Sequence, residues 1–444
     1  MSEASHQQNS PVTHKWKRYP KYKDSGVEWL GEVPEEWQLK KAKWLFKEIV
    51  DRDHPEEPLL SVTQQNGIVT REESDINVWN PTENVSGYKL VKKGEFVISL
   101  RSFQGGIEYS SIQGIVSPAY IVVRKKNAVC DNYFRFLFKS EPFISMLDIS
   151  TTGIRQGKNI GYEDFSLIVC PTVPRENCEA IASFLNRVTS RIDTLIAKKE
   201  RQIELLQEIQ AAFINHAVTK GLDPNVRMKE SGIEWIELIP AHWQKAKLAA
   251  ISTEIGDGLH GTPQYTEKSP YYFINGNNLS NGSITITESA RCISAGEFEK
   301  YKVLLDDSTI LMSINGTIGS VAYYRGESII LGKSAAYINS GKSISRNYLF
   351  FLLQSASIAN YLRNQATGTT IFNLSLETIR KLQVPLPPLA EQEKISSFIN
   401  TESSRITAVV EKIQSSIEVL RKYRIALISA TVTGKIDVRQ EISA

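Results

Sequence analysis

Lys23–Gln38 reads K-D-S-G-V-E-W-L-G-E-V-P-E-E-W-Q, and Lys229–Gln244 reads K-E-S-G-I-E-W-I-E-L-I-P-A-H-W-Q. The two stretches align without a gap at a shift of 206 residues. Ser25, Gly26, Trp29, Pro34 and Trp37 fall on Ser231, Gly232, Trp235, Pro240 and Trp243. Further on, Pro171, Pro174, Ser183, Phe184, Asn186, Arg191 and Ile192 fall on Pro385, Pro388, Ser397, Phe398, Asn400, Arg405 and Ile406, now at a shift of 214. Weaker echoes lie between: Asn132-Tyr133 against Asn347-Tyr348, and Thr152-Gly153 against Thr367-Gly368. Internal similarity at one long period means a single half-plan used twice.

Each copy ends in a long helical pattern. Ile399, Ile406, Ile413, Leu420 and Leu427 stand seven residues apart, with Ile395, Val409 and Ile417 assigned to the alternate seam positions. The first copy has Leu185, Ile192, Lys199, Leu206 and Phe213, with Val188 and Leu195 between. A sustained 3.5-residue period predicts coiled-coil packing. Lys199 interrupts the apolar seam, either as a register or orientation device or, the favoured reading, as a lysine whose stem lies along the seam while its ammonium reaches water. Pro174 and Pro388 suit a helix start, Gly221 and Gly434 a helix stop. At about 1.5 Å per residue such a rod is roughly 70 Å long. Two matching helices in one chain most simply pair with each other, antiparallel.

The stretches between are strand-like and turn-rich. Glu95–Leu100, Ile115–Arg124 and Thr309–Ile314 read as strands, and Asp257-Gly258, Asn275-Gly276, Asn281-Gly282 and Asn315-Gly316 as turns. Tyr348–Leu353 is the longest apolar run and reads as a buried helix. The expected fold class is therefore α+β: two globular α/β domains in pseudo-twofold repeat, separated by two long helices forming an antiparallel coiled coil. The bounds are a disordered tail at 1–18, a first globular domain at 19–170, a helix at 171–222, a second globular domain at 223–384 and a distal helix at 385–444.

Composition excludes several classes. The 444 residues carry 52 basic and 49 acidic side chains, a net charge of +3, with 41% hydrophobic residues. That balance is globular, not disordered, collagen-like or disulfide-framed. Cys130, Cys170, Cys178 and Cys292 form no C-x-x-C pair and have no histidines at zinc-ligand spacing, so four reduced thiols in a cytoplasmic protein are expected. No signal sequence or membrane span is evident, and no metal site.

The total charge hides a pattern. Residues 87–158 hold eleven basic side chains against five acidic, and residues 291–381 hold ten against six. Each globular unit thus has a basic sub-region, as contacts to two DNA segments would require. Catalytic signatures are missing. Gly332-Lys333-Ser334 ends like a P-loop, but Glu327 stands where its first glycine belongs. There is no G-x-G-x-x-G, no target-base tetrapeptide of the amino-methyltransferase type and no paired-carboxylate signature. Base readers are instead plausible in polar loops: Arg101, Gln104, Arg155, Gln156 and Lys158 in the first unit, and His260, Thr262, Gln264, Tyr265, Asn277, Asn315, Lys333, Thr369 and Thr370 in the second. Asn and Gln suit adenine edges, and Arg and Lys suit guanine.

On these residues the chain resembles the specificity subunits of type I restriction-modification systems, from about Tyr19 to Ile436. The sharpest element is Pro387-Pro388-Leu389-Ala390-Glu391-Gln392, similar to the family's P-P-L-x-E-Q opening of the distal helix. The twice-used S-G-x-E-W…P-x-x-W-Q, D-G-L-H-G-T-P-Q-Y from Asp257 and N-G-T-I-G from Asn315 are similar too. The first copy departs at Pro171–Asn177 and lacks D-G-x-H-G-T-P. The resemblance implies two target-recognition domains of different subtype reading an asymmetric bipartite site in double-stranded DNA, and a helix pair that sets the spacer. Leu185, Ile192, Leu206, Phe213, Ile399, Ile406, Ile413, Leu420 and Leu427 would be its seam and subunit-docking residues. It implies two methyltransferase subunits carrying S-adenosylmethionine and two motor-nuclease (restriction) subunits using ATP and Mg, with no cofactor and no catalysis on this chain. A coiled-coil scaffold, or a free-standing DNA enzyme with an unrecognised site, are the competing readings.

Overall fold

The computed structural model describes residues 16–64, 66–73, 85–126, 130–150, 160–287, 290–368 and 372–443. The chain divides into two compact units: residues up to Lys199 together with Gln414–Ala444, and Glu200–Ile413. Both units share one four-stranded sheet, to which the second adds another, Tyr265–Thr266, Cys292–Ile293, Tyr271–Ile274 and Ile329–Leu331. In the first, Phe46–Ile49, Ile121–Lys125, Phe96–Ile98 and Glu108–Tyr109 form an antiparallel sheet in that spatial order. In the second, Ser252–Asp257, Ala335–Ser340, Thr309–Ser313 and Val321–Tyr323 repeat it. A strand pair leads from each sheet to a long helix: Gln38–Lys41 with Val169–Thr172, and Gln244–Lys247 with Gln383–Leu386. The duplication thus survives in topology where side chains have diverged.

Each core is built against a helix lying behind its sheet. Tyr348–Leu353 is buried throughout within the helix Arg346–Gln354. In the first unit Phe46, Phe96, Phe134, Phe138 and Phe165 interlock edge-on or tilted, the arrangement aromatic quadrupoles favour. The expected strand Ile115–Arg124 is two strands, Gly114–Val116 and Ile121–Lys125, joined by a turn in which Tyr120 N donates to Ser117 O at 3.0 Å. Pro118, which has no N–H to give a ladder, lies inside that turn. The end of the expected disordered tail is also held: Trp16 packs edge-on against Phe184 at 5.1 Å, and Lys17 O accepts from Asp437 N at 2.7 Å. Residues 1–15 lie outside the described residues.

The long helices are Arg175–Lys220 and Leu389–Val432. Pro174 and Pro388 directly precede them, and their carbonyls accept the first helical bonds, from Cys178 N and Gln392 N. Gly221 and Gly434 end them with φ of 77° and 73°, a left-handed stop that a side chain would strain. In the first unit the start of one helix packs on the end of the other: Phe184 and Leu185 share a core with Leu427 and Ile428, and Arg424 pairs with Asp193 at 2.8 Å. In the second unit Phe213 meets Phe398, and Ala217 shares a core with Ile395 and Ile399. Within each unit the two helices therefore run antiparallel.

The seam is shifted at its alternate positions. Leu185, Ile192, Ile399 and Leu427 are buried, and Leu206, Phe213, Ile406, Ile413 and Leu420 half-buried, so all nine face inward. Leu195 and Val409 are 43% and 46% exposed, while their neighbours Ile196 and Val410 turn inward. The second seam row lies four residues after the first, not three: Thr189, Ile196, Ile203 and Ala217, answered by Val410, Ile417 and Thr431. Lys199 is half-buried on the first row.

One cysteine expectation is corrected. Cys130 and Cys178 are joined in a disulfide with Cα atoms 6.5 Å apart, which leaves Cys170 and Cys292 as thiols. The fold brings the residue before the helix Asp131–Leu137 against the first turn of the long helix, a closeness that sequence spacing does not reveal. Among the described residues no helix is long and apolar enough to cross a membrane.

Candidate nucleic-acid interface

In the second unit the polar loops selected from sequence are tied into one face. The connection after Ser252–Asp257 crosses the strand end at Leu331: Leu259 N donates to Leu331 O at 2.7 Å, and Lys333 N to Leu259 O at 3.0 Å. A side chain at Gly258 would put its Cβ 2.0 Å from that carbonyl, so only glycine allows the crossing. Ser334 then bridges to the next loop. Its Oγ accepts from Gly276 N at 2.9 Å and meets Asn275 Oδ1 at 3.0 Å. Its carbonyl accepts from Ile314 N at 2.9 Å. Gly316 N donates to Phe372 O at 3.0 Å, and Leu374 N to Ile314 O at 2.8 Å. Asn373 bridges both Asn315 and Thr367.

This chain of bonds brings together most of the second unit's selected residues. His260, Thr262, Gln264, Asn277 and Lys333 are exposed on it, Tyr265 is 39% exposed and Asn315 half-buried. Thr369 and Thr370 lie outside the described residues. His260 Nε2 stands 2.7 Å from Asp257 Oδ2, which orients the exposed imidazole. Tyr337, behind the loop, donates to Glu254 Oε1 at 2.7 Å; burial and that carboxylate push its phenol up to about 12, so it keeps its proton. The backbone N–H groups of Gly332 and Lys333 are both spent on neighbouring carbonyls, so this stretch offers no phosphate cradle. Sequence reading missed Arg291. Its guanidinium lies 4.7 Å over the Tyr265 ring and is exposed, a flat cation presented on an aromatic support.

In the first unit Arg101 and Gln104 are exposed on and before the short helix Ser102–Gly105, between the strands Phe96–Ile98 and Glu108–Tyr109. Asn315 occupies the same connection in the second unit's sheet, between Thr309–Ser313 and Val321–Tyr323. Gln64 Nε2 donates to Arg101 O at 3.4 Å, which fixes the turn. Arg155, Gln156 and Lys158 lie outside the described residues.

The basic stretches are partly spent inside each unit. Arg124 pairs with buried Glu95, Lys139 with buried Glu108, and Lys125 with Asp131. Lys89 is buried, donates to Tyr120 O at 2.6 Å and has its pKa pushed down by burial. In the second unit Arg346 and Arg380 hold carbonyls of Thr309 and Ile255. The charge available to a polyanion is therefore smaller than a residue count suggests, and rests on Arg101, Arg291 and Lys333 among others. Among the described residues no group of three His, Cys, Asp or Glu side chains could hold a metal ion.

Comparison with known proteins agrees with this layout. Residues 243–419 match the type I restriction modification DNA specificity domain. The MjaVIII type I restriction enzyme specificity subunit of Methanocaldococcus jannaschii is 23% identical over 79% of this chain and 81% of its own. A chain from a structure of a type I restriction-modification system, described for its complex assembly and conformational transition, superposes with a TM-score of 0.67 at 13% identity, covering 90% of this chain and 98% of that one. The HsdS subunit of Thermoanaerobacter tengcongensis does so with a TM-score of 0.52 at 13% identity, over 91% and 98%.

Proposed function

We propose, from the chain's place among the type I restriction-modification specificity subunits, that it is the DNA-reading, non-catalytic subunit of such a system. The observation that carries the reading is the bonded face of the second unit, in which loops scattered through the sequence present amides, an imidazole, a lysine and an Arg–Tyr stack together. Its first-unit counterpart is the Arg101–Gln104 connection on the matching sheet of that unit. Two such faces in one chain fit two half-sites of a gapped duplex target. Neither face need bind tightly, because linkage makes the second engagement effectively intramolecular.

Partner roles follow from the same reading. Two methyltransferase subunits would bring S-adenosylmethionine and two restriction subunits ATP and Mg, in the cytoplasm, while this chain binds no cofactor. Docking would fall to the outward helix faces, with the nine seam residues kept for the helix pair itself. The helices of 46 and 44 residues would set the spacer.

Co-expression with a methyltransferase subunit should yield a complex that methylates adenine in a gapped motif, read by sequencing modified bases. Random methylation, or turnover by the purified chain alone, would sink the proposal. Inserting one seven-residue repeat after Lys198, with matching insertion in the distal helix, should lengthen the gap and leave both half-sites unchanged.

A further inference from the structure

We propose that the first unit carries a docking groove, whose tryptophan and three of its neighbouring lysines are not repeated in the second, for an acidic polypeptide segment bearing an apolar anchor. An open groove of about 940 Å³ runs along the strand pair Gln38–Lys41 and Val169–Thr172, past the turn Ala42–Leu45 to Pro174. Trp44 stands in it 66% exposed. An indole left in water on a concave, partly apolar floor with Leu39 and Val173 is the kind of residue that dominates protein interfaces once covered. Lys43 Nζ lies 5.4 Å from the indole centroid. Lys40, Lys41, Lys43 and Lys47 are exposed, and among the described residues none has an ion-pair partner. The one carboxylate of the lining, Glu36, is already held by Asn177 Nδ2 at 2.6 Å and Arg439 at 3.3 Å. Lys40 and Lys41 line the groove, which is therefore positive and partly apolar at once.

The second unit supplies an internal control. It has the same strand pair and the same helical turn, Leu248–Ile251. At the 206-residue shift, however, Ala246, Ala249, Ala250 and Thr253 stand where Lys40, Lys43, Trp44 and Lys47 do. The scaffold does not need a tryptophan and three lysines, because its copy folds without them. A face for two equivalent subunits would be built twice; this one is built once, for a single partner copy per chain. Phosphodiester backbone would satisfy the lysines but offers nothing apolar to Trp44, Leu39 and Val173. A peptide with leucine or phenylalanine flanked by Asp and Glu satisfies both.

The probe is a fluorescein-labelled twelve-residue peptide of Glu and Asp with two central leucines, titrated into the full chain by anisotropy. Saturable one-to-one binding is expected. It should weaken about tenfold in Trp44→Ala and similarly in Lys40→Glu/Lys43→Glu, with unfolding midpoints unchanged. Replacing the leucines with serine should abolish binding, and a 20-base-pair duplex should not compete. The transplant Lys245→Leu/Ala246→Lys/Ala249→Lys/Ala250→Trp/Thr253→Lys should raise the stoichiometry to two. No binding at millimolar peptide, binding indifferent to Trp44→Ala, or displacement by duplex with weaker duplex binding in Trp44→Ala would each overturn the proposal.

Discussion

Each globular unit is fastened to the first turn of its own long helix, and the two fastenings are chemically unlike. In the second unit Gln392 makes the tie. Its Oε1 accepts from Ser345 N at 2.7 Å, and its Nε2 donates to Ser343 O at 3.0 Å and Pro387 O at 2.8 Å. Glu391 beside it accepts from Trp243 Nε1 at 3.1 Å and meets His242 Nε2 at 2.7 Å. In the first unit Cys178 holds the place of Gln392, and Cys130 that of Ser345; the tie is a disulfide. Asn177 replaces Glu391 and turns to Glu36, so Trp37 Nε1 is buried with no hydrogen-bond partner among the described residues. Tyr133 and Tyr348 stay alike, each donating to a carbonyl near the end of a long helix, Val432 O and Val218 O. The joint is kept and its means differ: one polar and indifferent to redox state, the other covalent.

Breaking the covalent tie should have the largest effect. Cys178→Ser, or reduction of the wild type, should cost the first unit about 2–4 kcal/mol; its unfolding midpoint should fall with reductant while the second unit's does not. Peptide mapping without reductant that finds both thiols free would remove the contrast. Gln392→Ala should come next. It strands the part-buried Ser345 amide and two carbonyls, for about 1–3 kcal/mol, visible as faster hydrogen exchange confined to the second unit. The tryptophans sharpen the comparison further. Trp243→Phe should cost about 1 kcal/mol more than Trp37→Phe, because only Trp243 gives up a bond; equal losses in denaturant titration would contradict the assignment. The mildest effect belongs to the reading faces. Lys333→Ala should weaken DNA binding by about 1 kcal/mol or less if it contacts phosphate, reducing the salt slope by about one, and Arg101→Ala should act on the other half-site in modified-base sequencing.

These differences also mark how far sequence carries. Repetition, helix ends and fold class are legible because they follow from period and from proline and glycine, which act through the local backbone. The alternate seam row was misplaced at Leu195 and Val409 because apolar residues stand at both candidate offsets, and packing chooses. The disulfide was missed because Cys130 and Cys178 look unrelated along the chain. Their alignment with Ser345 and Gln392 was the available signal. In the second unit, the glycine-bearing motifs led to loops that the fold ties together, since glycines mark where loops cross. Arg291 escaped because its stacking on Tyr265 is a tertiary fact.

The division of the helices has a consequence for synthesis. Residues 200–413, the second unit, are contiguous, whereas the first unit is closed by residues from Gln414 onward. Chains usually fold as they emerge, N-terminal part first, at about 5–20 residues per second. Here that order is inverted. The unit begun first stays open along its helix until residues from Gln414 onward leave the ribosome, and the unit begun second is finished before it.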